Sequence, residues 1–256
     1  MTNVDGDSKH IQNLVASCPL LEILKLTVVF PTFSSLVIHA PKLKQFHLEG
    51  KIRSVCFKNT PLLEQVSFLD LGLYEEQSIH GKFKLVELFS SLPALRALRF
   101  DSNFTKGIAA DKVPTRASLR AVHLSSIRLE SFRLDDLVGM PFVVFLLRIS
   151  PNLKNIKISH ITVVGDISKN LYLHPLDVEE YSDVKLDQLS VVEFSDFTGA
   201  WNEMRLAKLI LINSPRLEKM VIRTKATACT EKQELMILKE LIQLARPSPT
   251  AKIIYE

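Results

Sequence analysis

Residues 41–48 read PKLKQFHL, and this short phrase decides the fold. It places a proline two residues ahead of a leucine, and apolar residues follow that leucine after three and five positions. The phrase returns with its proline at 19–26, 61–68, 93–100, 151–158 and 215–222, and without it at 119–124 and 189–194. Eight copies of one pattern in a single chain are typical of a repeat protein.

The second half of the phrase predicts a β-strand. Its two apolar residues flank a polar one, as Phe46 and Leu48 flank His47, and this period of two is typical of a strand with one buried face. A proline is tolerated where a strand begins, and it ends any helix that precedes it. Apolar residues at helical spacing predict such helices at 11–18, 85–92, 142–149 and 201–212.

Helix–proline–strand units stacked side by side predict an α/β leucine-rich-repeat solenoid. In this horseshoe, a parallel sheet lines the concave side and helices lie on the convex side. The first steps between copies are too short for a helix, so weaker copies at 33–38 and 52–57 predict short convex strands instead. Typical repeats carry Asn or Cys three residues after the last apolar strand position. Only Asn103 meets that rule here, which predicts irregular coil turns.

The end of the chain has the pattern expected of a C-terminal cap. A helix after residue 230 carries one apolar stripe, prolines at 247 and 249 end it, and residues 251–255 have strand character. The stripe consists of Leu235, Leu238, Leu241, Ile242 and Ala245. At the other end, the polar residues 1–8 are predicted to be a disordered N-terminus.

Composition limits the classes of function. The 256 residues include 32 basic and 28 acidic side chains, so the formal net charge is only +4, and we expect neither a nucleic-acid partner nor a membrane. The longest apolar run is far shorter than a bilayer span, and no secretory leader is evident. Three isolated cysteines predict buried free thiols at Cys18 and Cys56 rather than a disulfide framework. An intracellular protein, cytoplasmic or nuclear, is the expectation.

The sequence contains no set of residues that indicates catalysis. It has no glycine-rich phosphate loop, no nucleophile elbow and no metal-ligand spacing, so we predict no catalytic residues, no metal and no cofactor. An enzyme built on a doubly wound α/β sheet stays an alternative because strands and helices alternate there too. That alternative lacks the glycine-rich turn that such enzymes place at the end of a strand.

The predicted binding surface is the outward side of the concave strands. Alternation sends the residue between the two apolar positions, and the residue two positions further on, toward the partner. The first of these rows is mostly basic or imidazole, which predicts a mildly positive surface for an acidic segment of a target protein. An ordinary solvated sheet face stays the alternative for any single residue. The candidate partner-binding residues are Lys25, His47, Glu49, Arg99, Asp101, His123, Lys157, Glu193 and Arg223.

Two stretches carry a resemblance to a known family. Residues 206–222, LAKLILINSPRLEKMVI, and 244–255, LARPSPTAKIIY, resemble the FBD module of plant F-box/FBD/leucine-rich-repeat proteins. The phrases at 18–22 and 40–43 resemble the repeats of that family. The resemblance implies leucine-rich repeats over 9–186 and an FBD-like repeat and cap over 187–256. It also implies the substrate-recognition part of an SCF-type ubiquitin ligase receptor.

In such receptors an F-box holds the Skp adaptor, and the repeats hold the target. No F-box-like segment is recognised in this sequence, so a link to the Skp adaptor and the cullin ligase is expected only if an F-box is supplied elsewhere. A standalone or dominant-negative binder, which occupies targets without delivering them to a ligase, is the alternative.

Overall fold

The computed structural model describes residues 4–28, 35–50, 54–69, 85–102, 113–114, 119–135, 138–160, 183–224, 231–244 and 247–256. The strands in these ranges are β1 Ile23–Val28, β2 Leu36–His39, β3 Gln45–Gly50, β4 Val55–Lys58, β5 Gln65–Leu69, β6 Ala97–Asp101, β7 Ser126–Phe132, β8 Asn155–His160, β9 Val191–Phe197, β10 Lys219–Thr224 and β11 Lys252–Tyr255. The helices are α1 Val4–Ala16, α2 Leu85–Ser90, α3 Gly139–Ile149, α4 Trp201–Asn213 and α5 Glu231–Gln243.

Nine of the strands form one parallel sheet, in the order β1-β3-β5-β6-β7-β8-β9-β10-β11. The register aligns the repeated phrase from strand to strand, so the first apolar residue of each copy is paired with that of the next. This aligned set is Leu24, Phe46, Val66, Leu98, Ile127, Ile156, Val192 and Met220. The predicted α/β class with a large parallel sheet is therefore confirmed.

A tight turn at the entrance of each strand explains why the phrase begins with proline and leucine. In all eight copies the amide of the leading leucine donates to the carbonyl three residues earlier, as from Leu43 to Ala40 at 3.1 Å and from Leu217 to Ser214 at 3.2 Å. Proline, with φ fixed near −65°, suits the second position of such a turn. The leucine side chain then points into the core, where Leu43 and Leu217 are fully buried.

Each strand entrance is also bonded to the coil before it. The amides of Lys44 and Gln45 both donate to the carbonyl of Glu22, at 2.8 and 3.0 Å. The same pair of hydrogen bonds recurs at each step of the sheet as far as β10, where the amides of Glu218 and Lys219 donate to the carbonyl of Ser190. Neighbouring coils are therefore joined by a continuous ladder of backbone bonds that no coil completes alone.

The other side of the core differs between the two halves of the chain. In the first half, β2 and β4 pair in parallel as a separate two-stranded sheet, as the weaker copies predicted. Phe57 of β4 packs edge-on against Phe46 of β3, with ring centroids 5.1 Å apart, so the small sheet covers the core across from the large one. In the second half helices take this place, and α3 is buried along nearly its whole length.

The register of the fifth copy was predicted wrongly. The sequence pattern placed Val122 in the core and His123 on the strand, but both lie in the turn before β7, and Val122 is 44% exposed. Leu124 is the leading leucine, because its amide closes the turn to Ala121 at 3.0 Å. The residue that stands between the buried Ile127 and Leu129 is Arg128, five positions beyond His123.

Two strands end in a bulge where typical repeats would place Asn. Ser131 in β7 and Asp196 in β9 have φ of 47° and 58°, and the strand pairing shifts register at both places. The extra residue turns the next side chain inward, and Phe132 and Phe197 are fully buried. Buried phenylalanine thus stands where the sequence rule expected Asn, while Asn103 lies outside the described residues.

Two terminal predictions need correction. Helix α1 begins at Val4, inside the segment 1–8 that was predicted to be disordered. Helix α5 and strand β11 lie where the sequence predicted them, but α5 turns a different face to the protein. Leu241 of the predicted stripe is buried, together with Ile237 from outside it, whereas Leu235 and Ile242 of the stripe are 54% and 67% exposed. Ala245 lies outside the described residues.

The two cysteines predicted to be buried are exposed. Cys56 lies between the buried Val55 and Phe57 of β4, so the alternation of the strand turns its thiol to the outer surface. Cys18 lies in the turn after α1.

Candidate protein-binding face

The outward side of the large sheet carries a row of side chains held in register by the strands. We call this row the central row, and the polar face comprises the central row with the residues two positions before and after it on the seven strands β1, β3, β5, β6, β7, β8 and β9. The central row on those strands is Lys25, His47, Ser67, Arg99, Arg128, Lys157 and Glu193. All seven are exposed or half-buried, and Lys25 and Arg128 are the most open.

Most of the predicted partner-binding residues lie on or beside this face, with three qualifications. His123 lies in a turn and not on the strand, as described above. Asp101, at the end of β6, is only 7% exposed, so it is not the open carboxylate that alternation predicted. At β10 the row position is held by Val221, which is 1% exposed, and the open part of the row therefore ends at Glu193.

Three cations occupy consecutive positions in the middle of the row. Arg99 pairs with Arg128, and Arg128 with Lys157, as direct neighbours across parallel strands. Like charges placed opposite each other destabilise a sheet unless anions compensate them. The sequence analysis missed Arg128. The spacing of Leu124, Ile127 and Leu129 matches the phrase and would have identified it.

Acidic residues beside the cations supply the compensation. Arg99 donates to Glu130, which lies two positions beyond Arg128 on β7, and the Nε of Arg128 lies 3.7 Å from the same carboxylate. On the next strands Glu193 accepts from Lys157 and from Arg223, both at 3.2 Å. Arg223 also donates to Glu256 at 2.8 Å, so one chain of ion pairs crosses β8 to β11.

This network shifts the ionisation of its central carboxylate. Partial burial raises the pKa of Glu193, but hydrogen bonds and positive charges from Lys157 and Arg223 outweigh burial and hold the pKa below its usual value. Burial likewise opposes the charged form of Arg223. Its hydrogen bonds to Glu193 and Glu256 nevertheless raise the pKa of the guanidinium.

The first three positions of the central row differ from those that follow. Among the described residues, neither Lys25 nor His47 has an ion-pair partner, and Glu49 on β3 has none either. The hydroxyl of Ser67 is buried and has no hydrogen-bond partner in that part of the chain. At this end of the row the side chains of Lys25, His47 and Glu49 are thus not engaged by other described charges.

A second set of charged residues lies at the strand entrances, and the sequence analysis did not predict it. Lys44 contacts Glu22 at 2.8 Å, and Arg96 contacts Glu64 at 3.3 Å. Each pair joins the residue after a leading leucine to its equivalent in the next coil. These ion pairs are exposed, so each contributes little to holding neighbouring coils together.

Over the described ranges, no group of three or more His, Cys, Asp or Glu side chains is arranged to hold a metal ion. None of the helices in those ranges is both long enough and apolar enough to cross a bilayer.

A parallel sheet in which eight of the nine strands follow a leucine-closed turn defines a leucine-rich-repeat-like protein. A family model described as FBD matches residues 186–222, which include β9, α4 and the start of β10. An F-box/FBD/LRR-repeat protein of Arabidopsis thaliana is 30% identical over 259 residues, covering 96% of this chain and 58% of that protein. Two further Arabidopsis proteins of that name are each 24% identical, over 263 and 276 residues.

The predicted resemblance to the repeat and FBD regions of plant F-box/FBD/LRR-repeat proteins is confirmed by these matches. The two more distant relatives are covered over 57% and 58% of their lengths, by 96% and 98% of this chain. The chain therefore spans less than two thirds of the relatives it matches. No solved structure matches it.

Proposed function

We propose that this protein is a non-enzymatic binding module that holds a segment of a target protein. In this proposal the polar face is the concave surface of a leucine-rich-repeat horseshoe, and α5 with β11 form its C-terminal cap. Repeats over 9–186 and an FBD-like unit over 187–256 would make up its two parts. The module corresponds to the substrate-recognition part of an SCF-type ubiquitin ligase receptor.

The single observation that carries the proposal is the central row itself. On β1, β3 and β5 to β9 its side chains are in register and open to the outside, while the apolar residues beside them are buried, or partly buried at Leu24 and Leu26 of β1. A backbone ladder joins the strands, so a partner would meet a surface that is already ordered and would lose little freedom in binding it. A specific complex of this kind buries about 1,200–2,000 Å².

The charges favour an acidic target segment. Arg128 shares the carboxylate of Glu130 with Arg99, and Lys25 has no anion among the described residues. A carboxylate on the target would relieve the repulsion between the neighbouring cations at Arg99, Arg128 and Lys157. Such charges act mainly on the rate of association and on the choice of partner.

The ligase link rests on the names of the relatives. They are F-box/FBD/LRR-repeat proteins, and the F-box is the part expected to hold the Skp adaptor. We propose that this chain supplies target binding and joins a cullin ligase when an F-box is provided with it. A standalone binder with the same face is the second form of the proposal.

Proximity labelling in plant cells tests target binding. The chain carries a biotin ligase, either as wild type or as the variant Lys25→Glu, Arg128→Glu and Lys157→Glu. Proteins that the wild type labels and the variant does not are the expected targets, and they should contain acidic segments. The matched control is Lys42→Glu with Lys58→Glu, two exposed lysines away from the polar face, which should label as the wild type does.

The outcomes separate the proposals. Identical labelling by all three proteins, with unchanged unfolding midpoints, would remove the polar face as the binding surface. Co-precipitation with the purified Skp adaptor tests the ligase link separately. We expect no complex with this chain alone and a complex once an F-box is fused to it. Firm binding by the unfused chain would place an adaptor site within these residues.

A further inference from the structure

Helix α5 carries an apolar stripe that stays exposed beside the other described residues. It packs on the protein through Ile237 and Leu241, which are 6% and 0% exposed. About a third of a turn away, Leu235 and Ile242 are 54% and 67% exposed, and Leu238 between them is half-buried. The spacing of these three residues, i, i+3 and i+7, places them along one line of the helix.

The charged residues beside the stripe favour a second copy of this protein as its partner. If Leu235 and Ile242 are a positions and Leu238 is a d position of a heptad, then Glu234 falls at g and Lys239 at e. In a parallel pair of helices, a g residue lies next to the e residue five positions later on the partner helix. Glu234 of one copy then faces Lys239 of the other, and the twofold axis repeats the pair.

We infer that α5 is a self-association surface, on which two copies of this protein pack their α5 helices in parallel through Leu235, Leu238 and Ile242. An antiparallel arrangement would instead bring Lys239 next to Lys239 of the second copy, which is repulsive. The contact covers only two turns of helix, so the dimer belongs to the small, weak class of interfaces. This inference is independent of target binding by the polar face.

Sedimentation of the full chain at increasing concentration tests the inference. We expect a monomer–dimer equilibrium, and Ile242→Glu should abolish it. Met236→Glu is the matched control, because Met236 is 41% exposed but points away from the stripe, and it should leave the dimer intact. A protein that stays monomeric up to about 1 mM would overturn the inference.

Charge exchange tests the pairing. Glu234→Lys alone and Lys239→Glu alone should each weaken self-association about tenfold, since two attractive pairs become repulsive. The double variant should regain the wild-type dimer within about twofold. Failure of the double variant to recover, while circular dichroism matches that of the wild type, would contradict the proposed pairing.

Cysteine cross-linking tests the direction of the helices. In a background with serine at 18, 56 and 229, Leu235→Cys and Ile242→Cys should each form disulfide-linked homodimers under mild oxidation. Cross-linking only when the two variants are mixed would indicate an antiparallel pair. That result, or no cross-linking at all, would overturn the parallel arrangement.

Discussion

The first and second halves of the molecule use the same strand phrase but differ on both sides of the sheet. From β1 to β5 the core is closed by a small second sheet, and the charges of the central row are unpaired among the described residues. From β6 to β11 helices close the core, and the outward charges form a network of ion pairs. The repeated phrase therefore determines the parallel sheet. The two halves differ in what covers the core and in how far the outward charges are paired.

The largest expected difference between the halves lies in their cores. Phe142 of α3 is fully buried and contacts two rings, Phe100 and Phe132, at 5.7 and 6.2 Å. Phe142→Ala should lower the free energy of unfolding by about 3–5 kcal/mol. Phe57→Ala in the first half loses one ring contact, with Phe46, and should cost about 1 kcal/mol less. Urea unfolding of both variants gives the values, and a larger loss for Phe57→Ala would reverse the comparison.

The next largest change in the free energy of unfolding is expected in the fifth copy, where the structure corrects the predicted register. Ile127 is 1% exposed, so Ile127→Ala should lower the free energy of unfolding by about 2–5 kcal/mol. Val122→Ala, at a residue 44% exposed, should change it by less than about 0.5 kcal/mol. Thermal melts distinguish the two registers, because the register predicted from sequence gives the opposite order.

This error shows what the sequence could and could not predict. Where proline marks the turn, as at Pro41 and Pro93, the predicted core residues are the buried ones. In the fifth copy Val122 takes the place of proline, and two leucines, Leu119 and Leu124, compete for the leading position. Both leucines begin a match to the phrase in the sequence, and the backbone bond from Leu124 to Ala121 decides between them.

Helix α5 illustrates a second limit. It has apolar residues on two faces, and periodicity alone does not say which face turns inward. The contact that decides is distant in sequence: Ile237 packs directly on Gly199. The ion pairs of Glu193 were unpredictable for a related reason, since they depend on the register of three strands.

Two glycines sharpen the comparison of the halves at a smaller scale. Gly50 of β3 has φ of +116°, and an added Cβ would lie 2.1 Å from the carbonyl oxygen of Val28. Gly199 has φ of +77°, and its Cβ would meet the side chain of Ile237 at 2.5 Å. Backbone yields less than a side chain, so Gly50→Ala should cost about 3 kcal/mol and Gly199→Ala about 1–2 kcal/mol.

The unfolding midpoints of the two glycine variants test whether Gly50→Ala costs more than Gly199→Ala. A second substitution tests whether the side chain of Ile237 causes the cost at Gly199. Adding Ile237→Ala should remove part of the extra cost at Gly199 and none of the cost at Gly50. If Gly199→Ala proves the more harmful variant, the side chain of Ile237 yields less than the backbone at Val28, and the predicted order is wrong.

The smallest effect concerns the ion pairs of the polar face. The pKa of Glu193 is lower in the folded protein than in the unfolded chain, so its charge stabilises the fold above its unfolded pKa of about 4.3. That stabilisation is lost as the pH falls below this value through the folded pKa. Glu193→Gln should cost less than about 1 kcal/mol at pH 7, because the pairs are partly exposed, and nothing at pH 2.

Denaturant unfolding from pH 7 to pH 2 measures this difference. Glu49→Gln in the first half is the control, since Glu49 has no ion pair among the described residues. It should follow the wild-type curve at every pH. A control that loses as much stability as Glu193→Gln would remove the distinction between a paired and an unpaired half.

The ladder at the strand entrances limits how such a protein can change in length. The first amides of each strand bond only to the coil before it, as those of Lys44 and Gln45 bond to Glu22. Removing part of a coil would leave these two amides without their acceptor and interrupt the row of leucines behind them. Insertion or loss of whole coils keeps every bond, and the polar face can lengthen or shorten only in such complete steps.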